Sequence, residues 1–123
     1  MALPVTPNAT CDVYRAGGGP PGAPDVAGVV CYLEGDYRRR MEAGAGDGGT
    51  LRFTHVMLVP LETDIRDGYD AGSSGATDFV YVPDKNGTPL VVRFVERKLR
   101  GTANDHKKVY LDRKLPSWPS SDL

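Results

Sequence analysis

The sequence predicts a mainly all-β protein, a small antiparallel barrel of about six short strands joined by long Gly/Pro-rich loops. Short apolar runs rich in valine, tyrosine and phenylalanine recur at residues 26–33, 53–60, 78–82 and 90–97. Several of them alternate apolar and polar side chains with the two-residue period of a strand, not the 3.6-residue period of a helix. Between them lie glycine- and proline-rich stretches, with 15 glycines and 10 prolines among 123 residues. That is close to twice ordinary usage, though short of the level that argues for wholesale disorder.

Residues 1–9 read as an extended N-terminal arm, because Pro4 and Pro7 fix φ and remove amide donors. Residues 10–114 make one barrel domain, the usual size for a single core. Its first strand spans 10–15, with Cys11 and Val13 on one side and Asp12 and Tyr14 on the other. Residues 16–25 carry too much glycine and proline for helix or central strand, and read as a flexible excursion. Residues 26–33 are a core strand. A flexible insertion follows at about 36–50, within which 37–43 has the composition for about two helical turns, marginal unless packed.

Residues 51–61 form the longest strand candidate, placing Leu51, Phe53, His55, Met57 and Val59 on one face and Thr54, Val56 and Leu58 on the other. Turn chemistry fills 64–68, ending in Asp67-Gly68, and a second flexible stretch covers 71–76. Strands 78–82 and 90–97 form a hairpin, signalled by Asn86-Gly87, which favours a type I′ turn with φ > 0 at both residues. The last strand is 107–113. Residues 115–123 form an extended C-terminal tail punctuated by Pro116 and Pro119.

A net charge of −1 gives no global field toward nucleic acid or membrane. No apolar run approaches the ~18 residues of a membrane-spanning helix, and the N-terminus has no secretory pattern. No catalytic, metal or cofactor constellation is expected. His55 reads as a core or sheet-edge histidine hydrogen-bonded to a neighbour, because four converging N/S ligands for zinc are not in view. Asp64, Asp67 and Asp70 with Gly68 miss EF-hand spacing, so they read as a turn whose carboxylates cap backbone donors. No serine sits in a nucleophile elbow, and Gly17-Gly18-Gly19 lacks the Lys-Ser/Thr of a phosphate loop. No convergent acid–base set is visible, so the chain is not expected to be an enzyme.

Basic residues cluster twice, at Arg38, Arg39 and Arg40 and at Arg93, Arg97, Lys98, Arg100, Lys107 and Lys108, joined by His106. Each is a solvated face or a contact for DNA phosphates or an acidic subunit. Trp118, between two prolines, is a candidate tail anchor on its own barrel or on a neighbour. Cys11 and Cys31 fall on neighbouring strands. A reducing compartment favours two small buried thiols, while paired strands leave a disulfide open.

The serial order of these segments resembles a known family. It runs Cys-Asp-Val-Tyr-Arg (11–15), Gly-Val-Val-Cys-Tyr-Leu-Glu (28–34), a variable insertion, Thr-His-Val-Met-Leu-Val-Pro (54–60) and Thr-Asp-Ile-Arg-Asp-Gly-Tyr-Asp (63–70). Val-Tyr-Val-Pro (80–83), Val-Arg-Phe-Val-Glu-Arg (92–97) and His-Lys-Lys-Val-Tyr-Leu (106–111) complete it. From about residue 10 to 111 this resembles the head-closure (stopper, head-tail connector) proteins of tailed phages and prophages. The resemblance implies a small β-barrel whose copies form a ring, typically twelve, at the virion neck. Its subunits would be made in the bacterial host cytoplasm, and the ring would close the DNA-filled head. The portal and adaptor would lie on one side, tail proteins on the other and packaged DNA in the channel, with no membrane partner and no cofactor. Loops at 38–49 and 71–76 would project into the channel or reach neighbouring subunits. A tail-completion or tail-terminator protein of the same particle is the nearest alternative. A small β-barrel that binds nucleic acid is the next.

Overall fold

The computed structural model describes residues 5–16, 18–35, 41–44, 50–68, 77–98 and 105–113, with the backbone alone at 41–44 and 50–52. Its strands are β1 (Ala9–Tyr14), β2 (Val26–Gly35), β3 (Met41–Gly44), β4 (Thr50–Phe53), β5 (His55–Pro60), β6 (Phe79–Val82), β7 (Thr88–Lys98) and β8 (His106–Arg113). Six of them close an antiparallel barrel in the order β1-β2-β5-β8-β7-β6, and β3 and β4 form a separate hairpin inserted between β2 and β5. The described chain is all-β and has no helix.

Alternation decides what fills the barrel. In register across four strands, Leu33, Met57, Val109 and Val95 form one inward row. Cys11, Val13, Val29, Cys31, Val59, Val80, Leu90, Val92 and Leu111 complete the wall of the core. β-Branched residues dominate because they fit a pleated, crowded surface with little further loss of rotamer freedom. Both cysteines are buried free thiols, with Cys11 Sγ 3.8 Å from Met57 Sδ. Their mutual hydrogen bond, aided by burial, pushes the Cys11 thiol above its ordinary range.

Two bulges shape the barrel. Between Cys11 and Val13, Asp12 faces both Ala27 and Gly28, and Gly28 takes φ 64°, a conformation glycine adopts without steric cost. Asp12 secures this point: one carboxylate oxygen accepts the Gly28 amide and the other the Lys85 amide, both at 2.9 Å. The second bulge lies between Val92 and Phe94 in β7.

Four expectations differ from the structure. Of the two helical turns expected over 37–43, residues 41–43 lie in strand β3 (Met41–Gly44), paired with β4, while 37–40 lie outside the described residues. A short helix has weak intrinsic support, and pairing with β4 supplies bonds that it lacks. The single strand expected over 51–61 breaks at Thr54, whose amide donates to Leu111 O at 2.8 Å while its hydroxyl accepts the Arg113 amide at 3.0 Å. The break turns Phe53 off the His55 face, and its ring meets Tyr110 edge-on at 5.1 Å. The β6–β7 hairpin forms without positive φ at Asn86 or Gly87. Asp84 turns the chain instead: its carbonyl accepts the Gly87 amide at 2.8 Å and its side chain the Asn86 amide at 2.9 Å. Glycine is needed at 87 for closeness, since a Cβ there would collide with the Val82 carbonyl. Finally, the described part of 16–25 is tied down, with turns at Gly18 and Gly22 and the Tyr14 hydroxyl donating to Gly22 O at 2.7 Å.

Asp12→Ala strips acceptors from two amides at a part-buried junction, so it should destabilise the barrel by about 1–3 kcal/mol. Urea unfolding checks this, and a midpoint equal to that of the parent chain contradicts it.

Candidate interaction surface

Residues 61–68 cross one end of the barrel as a strap. Ile65, 1% exposed, drops from it into the core as a plug. The strap is held by its polar groups. Asp67 is buried and accepts the Val95 amide at 2.9 Å. Thr63 O accepts Lys107 Nζ at 2.6 Å. Arg66 O accepts the Asp78 amide at 3.0 Å and the Thr77 hydroxyl at 3.1 Å. The expected capping role of the aspartates is what Asp67 performs, while Asp70 lies outside the described residues. Among the described residues no acidic, cysteine or histidine group has the makings of a metal site.

Asp78 is the hub of this end. Its buried carboxylate accepts the Arg66 amide at 2.9 Å and Arg15 Nη1 at 2.6 Å. Arg15 also bridges to Asp64 at 2.5 Å, and Asp64 takes Arg66 Nε at 3.1 Å. The hydrogen bond from Arg66 holds the exposed Asp64 below the usual carboxylate range. Asp78 goes the other way, to about 6, because burial outweighs the Arg66 amide and the Arg15 charge.

The outer wall has two sides. Over β1 and β6, Tyr14 packs edge-on against Tyr81 at 5.2 Å, beneath the 18–25 connection. Over β2, β5, β8 and β7 the wall shows two cross-strand rows, Tyr32–Leu58–Lys108–Glu96 and Glu34–Val56–Tyr110–Phe94. A groove of about 310 Å³ covers part of these rows, lined by Tyr32, Glu34, Val56, Leu58 and Lys108 together with Lys98 and His106. Val30 on β2 and Phe94 on β7 are also exposed apolar side chains, 50% and 37% in solvent. Lys108 lies 5.3 Å over the Tyr110 ring, and Lys98 pairs with Glu96 at 3.1 Å.

The second basic cluster is thereby divided. Lys98 and Lys108 edge the groove. Lys107, opposite the exposed Arg97, turns to the strap. Arg93 sits half-buried at the β7 bulge. Arg38, Arg39, Arg40, Arg100 and Trp118 lie outside the described residues. His55 is buried with Nδ1 2.8 Å from the Thr54 hydroxyl, as expected of a core histidine. The groove itself was missed by motif reading. Its signal is the outward set Tyr32, Val56 and Leu58, too apolar for a wholly solvated face.

Asp78 gives a pH signature. Its carboxyl rises from an ordinary 3.8 when unfolded to about 6 in the fold. The native state therefore holds the extra proton between those values, and that stabilising contribution is lost as pH rises through about 6. Relative to Asp78→Asn, the parent chain should be most stable below pH 4 and lose ground up to pH 7, as read from thermal melts. A difference that does not vary with pH contradicts this.

No family model and no curated protein sequence matches the chain. Among solved structures it is similar to the phage-like element PBSX protein xkdH from Bacillus subtilis, with a TM-score of 0.48 and 18% identity, over 85% of this chain and 92% of that one.

Proposed function

We propose that the chain is a structural protein of a tailed phage or prophage particle, a head-closure protein whose copies form a ring at the neck. One observation carries the reading. The segments that resemble head-closure proteins coincide, in order, with β1, β2, β5, β6, β7 and β8 and with the strap between β5 and β6. The resemblance thus follows the framework of the barrel and the piece that seals its end.

The work of such a protein is assembly. A ring closes when each copy offers two different surfaces that pair head to tail. The barrel suits this because its two flanks differ, one covered by the 18–25 connection and one bearing an open groove. The ring would meet a portal or adaptor on one side and tail proteins on the other. Arg97, exposed near the strap, and the half-buried Lys98 are placed for an acidic neighbour or for DNA phosphate.

Deleting the gene from its parent phage and imaging the lysate tests the reading. Separate tails beside emptied heads are expected. Intact infectious particles would overturn it, and salt-dependent binding of free DNA by the purified protein would then favour a nucleic-acid-binding module. Within the neck reading, Arg97→Glu with Lys98→Glu should lower the yield of complete particles at least tenfold while the melting curve stays within a few degrees. An unchanged yield removes these two residues from the docking surface.

A further inference from the structure

The strap 61–68 is fastened to the barrel unlike any strand. It belongs to no ladder, and its own amides turn back on near neighbours, Thr63 to Pro60 O at 3.0 Å and Ile65 to Thr63 O at 3.1 Å. Its buried residues are Thr63, Ile65 and Asp67, so it seats one apolar side chain and two polar ones. Among its fastenings are the bond from the Val95 amide to Asp67 and the two bonds that the Arg66 main chain makes with Asp78. A segment with so little apolar burial opens more readily than the sheet beneath it.

Asp78 lies at the centre of that attachment. Arg15, from the end of β1, and Arg66 and Asp64, from the strap, surround it. Behind them Asp25 accepts the Arg15 amide at 2.7 Å, and Lys107 of β8 lies near Asp64. The two guanidinium groups stay charged at every ordinary pH. The hydrogen bond from Arg66 keeps Asp64 below the usual carboxylate range. Burial holds the Asp78 carboxyl at about 6 while the strap is shut, against 3.8 for the free group. Opening returns that carboxylate to water, so loss of the proton favours the open form.

We infer that residues 61–68 are a latch, which lifts from the barrel end as one unit when the Asp78 side chain beneath it gives up its proton. The closed form seats Ile65 in the core. The open form exposes that isoleucine and the mouth of the barrel. The device belongs to the isolated chain and does not rest on the neck reading.

Hydrogen exchange of the purified chain tests this, followed residue by residue by NMR from pH 4 to pH 7.5 and corrected for intrinsic rates. The Arg66, Asp78 and Val95 amides report the latch, and the amides of the β5–β8 ladder report the sheet. The three latch amides should exchange together, and faster than the ladder at every pH. Their protection should fall at least about tenfold between pH 4 and pH 7. Asp78→Asn should abolish that fall. His106 stands opposite Pro60, where the strap begins, and His106→Gln should leave the fall in place. If Asp78→Asn does not fold, the Asp78 carboxyl is titrated by NMR in the parent chain, and the fall should level off at its midpoint.

Latch amides that exchange only together with the ladder would overturn the inference, because the strap would then open only when the whole barrel does. Local exchange with a protection that does not vary with pH would overturn it too. So would a fall that survives in Asp78→Asn, disappears in His106→Gln or levels off away from the Asp78 midpoint.

Discussion

The buried carboxylate of Asp78 is the point on which this barrel closes. It lies just before β6, yet it takes a guanidinium from the residue after β1 and an amide from the strap. Three separate stretches of chain meet at one side chain. Burying a carboxylate is costly, and here its partners offset only part of that cost, so burial still raises its pKa to about 6. The arrangement fixes the strap, the strap seats Ile65, and Ile65 completes a core that the strands alone would leave open at one end. Asp67 and Lys107 secure the same strap from β7 and β8. Much of the strap's sequence is therefore spent on holding its place.

A barrel sealed in this way has no free edge in its closed sheet, so it is protected from uncontrolled strand pairing. Its contacts with other molecules must then be made by its outer wall, by the β3–β4 hairpin or by its termini. The wall is unequal. The tyrosines over β1 and β6 are occupied internally, by each other and by the 18–25 connection. The wall over β5 and β8 keeps its apolar and aromatic side chains partly in solvent. This asymmetry gives the barrel two unlike outward faces.

Much of the barrel was legible from alternation and punctuation. The strands at 26–33, 78–82, 90–97 and 107–113 read directly because their valines and leucines alternate or run together between glycine and proline breaks. The strand over 51–61 misled because its alternation runs unbroken through Thr54, while the break there comes from bonds to Leu111 and Arg113, more than fifty residues away. The strand over 41–43 was hidden for a similar reason, since a composition suited to helix is overridden there by pairing with β4. Asn86-Gly87 announced the correct hairpin, but Asp84 builds its turn. Ile65 could not be recognised as core, because an apolar residue within a polar turn carries no period. The groove is equally silent in motif terms, being a product of which outward residues the closed sheet brings side by side.

The most direct measurement is to locate the protein in the particle. Purified particles carrying a tagged copy of the chain would be labelled with gold and imaged by electron microscopy. A head-closure role predicts label confined to the junction of head and tail. Label spread along the tail, found only at its far tip or missing from complete particles would contradict that role.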